Sequence, residues 1–154
     1  MYPGTHAATH PDKPAVIMAT GGETLTYAAL DEGSKRFAQL FRSRGLEPED
    51  SLALFLENHP RFFEVCWGAQ RSALRYTAVS SRLTAPEVEY IVRDCGAKAL
   101  VTSIAKADVA AQLVEPLADL ERLMLSGEIA GFENLDRLVA AMPAEPPSDE
   151  GEGV

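Results

Sequence analysis

The chain has 154 residues, enough for one domain, or one domain and a tail, that buries about 70% of the surface its unfolded form exposes. Hydrophobic residues at 46% and charged residues at 24% match globular averages, which excludes a collagenous, low-complexity or disordered chain over most of the length. A formal net charge of −9 disfavours nucleic acid and anionic membrane surfaces as partners.

Four of the acids, Glu145, Asp149, Glu150 and Glu152, fall in the last ten residues, with no base among them. The body before them therefore carries an ordinary solubility charge. The two cysteines, Cys66 and Cys95, belong to no metal-spaced cluster, so neither zinc nor a disulfide scaffold is expected and a reducing, cytoplasmic setting fits. No apolar stretch reaches the roughly 18 residues of a transmembrane helix, and the N-terminus lacks the basic-then-apolar form of a secretory signal.

Residues 1–14, with three prolines and two of the three histidines, are expected to be an irregular or briefly helical lead-in. Ala15–Met18 and Thr24–Thr26 flank Gly21-Gly22 and predict a small hairpin. Thr26 is placed to cap a helix whose apolar positions Tyr27, Leu30, Phe37, Leu40 and Phe41 share one face, with Gly45 as its stop and Gly33 as a local weakness. Ser51–Leu56 (SLALFL) follows a Pro-containing turn and is apolar almost throughout, the mark of a strand covered on both faces.

The cycle repeats. Asn58 and Pro60 suggest a helix start ahead of Phe62, Phe63, Cys66, Trp67 and Gln70, and Tyr76–Val79 suggests a strand. Thr84-Ala85-Pro86-Glu87 has the form of a capping box that opens a helix to Asp94, ended by Gly96. Lys98–Thr102 is the next strand, Ile104–Leu120 the next helix unless Pro116 breaks it, Arg122–Leu125 a last strand, and Glu133–Met142 a last helix. Strands alternating with helices predict an α/β subdomain over 15–142, with a mostly parallel sheet flanked by helices. Residues 143–154 (PAEPPSDEGEGV) lack any apolar period and are expected to be a linker or disordered tail.

Motifs with chemistry are scarce. There is no GxGxxG between strand and helix and no GxxxxGK[ST], and Gly21-Gly22 fits a turn better than a phosphate cradle. No GxSxG elbow occurs; His6 and His10 lie in the lead-in, and His59 suits a hydrogen bond within a helix entry better than a site at a strand end. Cys66 fits a small core residue and Cys95 a packed helix end. Asp31-Glu32 and Glu87, Glu89 are expected on solvated helical positions, and Phe62, Phe63 and Trp67 in a core. Val79-Ser80-Ser81-Arg82 has the one favourable address, because open α/β sheets bind ligands beyond the carboxyl ends of their strands. No catalytic, cofactor-binding or metal-ligating residue is assigned, and substrate-binding residues stay open.

Three stretches, LTYAAL (Leu25–Leu30), ENHPRFFEVCWGAQRSAL (Glu57–Leu74) and YTAVSSRLTAPEVEYIVRDCGAKALVTS (Tyr76–Ser103), together resemble the N-terminal region of fatty acid–CoA ligases, the acyl-CoA synthetases of the adenylate-forming superfamily. The resemblance covers nearly the whole chain. It implies the N-terminal subdomain of an enzyme that activates a fatty acid with ATP and magnesium to an acyl-adenylate and then transfers it to CoA. It also implies that the phosphate-binding loop lies just beyond a linker such as Pro143–Val154, and that the catalytic lysine lies later still. A chain of this extent is then expected to be inactive alone, with the remainder of the ligase, or self-association through an exposed apolar surface, as its partner. The family pattern has glycine where Ala73 stands and asparagine where Ser80 stands. The rival reading is a non-catalytic α/β interaction module that pairs with a chain carrying the missing catalytic half; a phosphoacceptor receiver domain is disfavoured because no acid cluster follows the first strand.

Overall fold

A computed structural model describes residues 3–150, Pro3 by its backbone alone. In chain order the elements are α1 (Pro3–Thr9), β1 (Pro14–Ile17), β2 (Thr24–Thr26), α2 (Tyr27–Ser43), β3 (Ser51–Phe55), α3 (Phe62–Arg71), β4 (Arg75–Val79), α4 (Ala85–Asp94), β5 (Ala97–Ser103), a 3₁₀ turn (Ile104–Lys106), α5 (Ala107–Leu113), β6 (Glu121–Leu125), β7 (Glu133–Asn134) and α6 (Leu135–Ala140). They fall into two compact units, one built from Met1–Gly45, Asn58–Ala73 and Met142–Val154 and the other from Leu46–Glu57 and Leu74–Ala141.

In the first unit, β1 and β2 pair antiparallel with Val16 opposite Leu25. Gly21 and Gly22 turn the hairpin at φ of 86° and 69°, a region closed to most side chains. The Thr26 hydroxyl accepts the Ala29 N–H at 3.2 Å and so caps α2, as its sequence suggests. At the other end Gly45 takes φ 76° and stops the helix. The entry to α3 differs from expectation. Pro60 sits in a turn closed by the Phe62 N–H on the His59 carbonyl at 3.0 Å, and the helix starts at Phe62 rather than at Asn58 or Pro60.

Two glycines set the approach of α2 to α3. A Cβ at Gly68 would lie 2.4 Å from the Phe37 Cβ and 3.1 Å from the Ser34 carbonyl; one at Gly33 would lie 2.1 Å from the Glu64 Oε1. Gly33 looks like a flaw by helix propensity alone, yet the neighbouring helix occupies the space a side chain would need. Phe37, Ala38 and Phe41 are fully buried, and the Arg61 guanidinium lies 4.9 Å from the centre of the Phe37 ring.

The second unit is a five-stranded sheet in the order β4-β3-β5-β6-β7, parallel throughout. On one face Ala53, Phe55, Val79, Leu100 and Met124 share a core with Val88 and Val92 of α4 and Ala110 and Leu113 of α5. On the other face Leu52, Leu54, Ala99, Val101, Leu123 and Leu125 are also buried. Burial on both faces explains why SLALFL carries no alternation; each large side chain there contributes about 1.5–3 kcal/mol.

Two expected elements change. The helix expected over Ile104–Leu120 is a 3₁₀ turn followed by α5, which ends at Leu113. Pro116 disfavours helical geometry at Glu115, and Arg122 of β6 meets the released carbonyls, its Nη1 donating to Val114 at 2.6 Å and Leu117 at 3.0 Å. The helix expected from Glu133 starts at Leu135, because Glu133 and Asn134 pair with Leu123 and Met124 as β7. Residues 143–150 form no helix or strand, but Gln39 donates to the Glu145 carbonyl at 3.0 Å and Pro147 is buried; residues 151–154 lie outside the described residues.

Gly68→Ala is expected to lower stability by about 2 kcal/mol, because its contacts are a buried Cβ and backbone that cannot yield. Gly33→Ala is expected to cost less, since the obstacle is the end of a Glu64 side chain and the helix gains propensity. Urea unfolding of both variants checks the order. Ala73 carries φ 51°, left-handed geometry that costs a non-glycine residue about 1–2 kcal/mol, so Ala73→Gly, the residue of the family pattern, is expected to raise stability by about 0.5–1 kcal/mol in the same measurement.

Candidate functional site

In the sheet order, β3 has β4 on one side and β5 on the other, so the chain reverses its direction of winding between β3 and β5. The crevice beyond the carboxyl ends of such strands is where open α/β sheets take ligands. Four groups of the second unit meet there. Ser103 ends β5 and is buried, its hydroxyl donating to the Glu57 Oε2 at 2.6 Å. Thr102, one residue earlier, donates to the Phe55 carbonyl at 2.8 Å and so closes the end of β3 against β5. Lys106, in the 3₁₀ turn after β5, donates to the Ser81 carbonyl at 3.1 Å. The segment singled out in the sequence, Val79-Ser80-Ser81-Arg82, is the loop held by that lysine; Ser80 and Arg82 are exposed.

The contacts of this rim are hydrogen bonds that tie strand ends and a loop together. Ser103 is a serine on a carboxylate, but it is buried and has no imidazole in the arrangement to relay its proton. The Ser80–Arg82 loop is pinned at its far end by α4. Thr84 is extended (φ −79°, ψ 163°) and its N–H donates to the Glu87 carboxylate at 2.8 Å, as the capping box requires. Its hydroxyl, however, points to the same carboxylate at 2.7 Å. That hydroxyl first, and the backbone N–H second, hold the Glu87 carboxyl below the ordinary glutamate range.

The remaining candidates make contacts within their own segments or the core. His59 is buried and its Nδ1 accepts the Arg61 N–H at 3.1 Å, the helix-entry role expected of it. His6 packs on Tyr27 in a tilted arrangement, ring centres 4.9 Å apart and planes at 37°, and His10 pairs with the Thr9 hydroxyl at 2.9 Å. Cys66 is buried in α3; Cys95 closes α4 with its Sγ 3.5 Å from the Val92 carbonyl. Phe63, expected in a core, is 47% exposed, because on α3 it lies off the buried face of Val65, Gly68 and Ala69.

Asp31 requires the largest correction. It is not a solvated helical acid but is buried, pairing with Lys35 at 2.6 Å and with Arg71 of α3. Arg71 is itself buried, and its Nε donates to the Ser34 hydroxyl at 2.9 Å. Glu32, the next residue, is exposed and pairs with Arg36 at 2.9 Å. No sequence signal short of a contact map joins Asp31 to a residue 40 positions away.

Nucleotide and metal need particular donors. A Cβ at Gly21 or Gly22 would meet nothing within 4 Å, and the two glycines form the hairpin turn expected of them. Among the described residues no three of His, Cys, Asp or Glu are grouped to hold a metal ion, and no helix is long and apolar enough to cross a membrane.

Comparison with known proteins gives one concordant set. The profile of the AMP-binding enzyme family matches residues 4–150. The fatty acid–[acyl-carrier-protein] ligase ScoC of Streptomyces coeruleorubidus is 33% identical over 123 residues, which are 80% of this chain and 23% of that protein. The inhibitor-bound N-terminal domain of FACL13 from Mycobacterium tuberculosis superposes with a TM-score of 0.84 at 22% identity, over 98% of this chain and 37% of that one. A benzoate CoA ligase from Burkholderia xenovorans LB400 superposes with a TM-score of 0.81 at 24% identity, over 97% of this chain and 30% of the other. These two structures share the fold, and the chain spans about a quarter of the length of ScoC.

A pH dependence follows from the Thr84–Glu87 arrangement. With a folded pKa below the unfolded one, Glu87 contributes its full stabilisation above the ordinary glutamate value of about 4.3 and loses it as pH falls through the folded value. Glu87→Ala is expected to melt below the parent at neutral pH, with the gap closing as the solution is acidified below the ordinary glutamate value; thermal melts across that range check it.

Proposed function

The chain belongs to the AMP-binding enzyme family, and on that premise we propose that it is the N-terminal scaffold of a fatty acid–CoA ligase, with no adenylation activity of its own. The observation that carries this reading is the family match along residues 4–150, in a chain whose match covers 23% of ScoC. The acid is proposed from the ScoC name and from the resemblance of Glu57–Leu74 and Tyr76–Ser103 to acyl-CoA synthetases. CoA as acceptor rests on that resemblance alone, since ScoC is named for an acyl-carrier protein. A cytoplasmic setting is proposed from the unclustered cysteines.

In such an enzyme ATP supplies the activating group, magnesium neutralises charge on its phosphates, and CoA takes the acyl chain. The residues of this chain serve that chemistry indirectly. The β3–β5 switch, closed by Thr102 and by Ser103 on Glu57, fixes the carboxyl ends of the central strands, and Lys106 holds the Ser80–Arg82 loop beside them. Donors aimed at phosphates while charge develops are the largest contribution to phosphoryl and adenylyl transfer, and the sequence offers no glycine-rich loop with a lysine to supply them. The partner proposed is the polypeptide that does.

Pyrophosphate exchange dependent on a fatty acid, with ATP and magnesium, tests the reading on the purified chain. Exchange is expected at the no-protein background, at least roughly 10³-fold below a complete ligase. Exchange clearly above that background overturns the scaffold reading. Exchange restored by adding a separate polypeptide with the phosphate loop and the C-terminal lysine identifies that polypeptide as the partner and favours the interaction-module reading.

A further inference from the structure

Arg36, Gln39 and Arg42 stand three residues apart on α2, one per turn along a single helical face. Each engages the same downstream segment in the same order. Arg36 donates to the Met142 carbonyl, Gln39 to the Glu145 carbonyl at 3.0 Å, and Arg42 through Nε to the Asp149 Oδ1 at 3.4 Å, with its Nη2 2.9 Å from the Oδ2 as an ion pair. Arg71 of α3 then pairs with Glu150. The four rungs lie within the first unit.

We propose that this arginine-lined surface of the α2–α3 pair is a docking site for an acidic, proline-bearing segment, and that its occupant is the chain's own residues 142–150. Charge complementarity selects the occupant. Arg71 is 3% exposed and is joined to Asp31, which also carries Lys35. The cluster holds two cations against Asp31, and Glu150 balances it, so undocking leaves an excess positive charge in a buried place. Composition also fits: Pro143, Pro146 and Pro147 limit what the free segment loses on ordering, and Pro147 is buried on docking. The Glu150 N–H closes a turn on the Pro147 carbonyl at 3.1 Å, which shortens the segment enough for its rungs to track the helix. Composition alone marks these residues as disordered because the opposite charges lie on a helix a hundred positions upstream.

The inference stands apart from the family reading, and its test needs no activity. Backbone ¹⁵N order parameters of Ala144, Glu145, Ser148, Asp149 and Glu150 in the full chain are expected near the rigid value of about 0.85, against less than about 0.6 for a free tail. Arg42→Gln and Glu150→Gln are each expected to bring them below about 0.6 and to speed hydrogen exchange of the same amides at least tenfold. The amides of α2 serve as the control for folding. Salt at about 0.5 M is expected to release Ser148 and Asp149 before Glu150, since the Arg42–Asp149 pair is the more exposed. Exchanging the charges, Arg42→Asp with Asp149→Arg, is expected to restore protection. Order parameters below 0.6 in the unaltered chain, or no change in Arg42→Gln and Glu150→Gln, overturn the proposal.

Discussion

Adjacent strands of the sheet run in parallel, and a parallel pair cannot be closed by a tight turn. Each pairing from β3 to β6 therefore commits the chain to leave the sheet, cross over, and return at the other end. That constraint governs the sequence as much as the structure. Crossovers cover strand faces, so β3 and β5 must be apolar on both sides, and Leu52 to Phe55 and Ala99 to Val101 are buried without a polar residue among them. It also gathers like ends: polar groups that follow β3, β4 and β5 arrive at one edge. Glu57, Ser81, Ser103 and Lys106 meet because of topology, although 49 positions separate the first from the last.

The elements that were legible in the sequence are those whose causes are local. Thr26 and Thr84 cap helices because a side chain three residues away, or the backbone it reaches, lies within the same segment. Gly45 and Gly96 stop helices because their own φ angles are positive. The SLALFL strand declares itself by losing alternation. The resemblance to the ligase family was carried by the same segments, since a run of packed strands and capped helices keeps its pattern when surfaces change.

What was not legible depends on partners distant in sequence. Apolar spacing continues through Leu113, Leu117 and Leu120, so the segment imitates one long helix; Leu117 is in fact buried from a turn, and the helix breaks where Pro116 and the reach of Arg122 make an irregular end cheaper than a regular one. β7 is two residues long and has no pattern to detect. Gly33 looked like a weakness because its reason, the Glu64 side chain, belongs to another helix. Asp31 looked solvated for the same reason.

Most of the arginines of this chain are tied to carboxylates or carbonyls of the chain itself. Phosphate recognition needs cations or backbone donors that are open to the ligand. Here Arg71 is engaged by Asp31 and Glu150, Arg93 by Asp119 at 2.7 Å, Arg75 by Glu49 and Arg137 by Glu128, while Arg122 serves three carbonyls. Lys98 is held by Asp50 at 2.8 Å, a pair that lowers the pKa of the carboxyl and raises that of the amine. Recruiting any of these for a phosphate would uncover a carboxylate or a carbonyl, and the surrounding field is that of a chain with a net charge of −9. The positive charge of these residues is committed to joining helices, loops and strand ends.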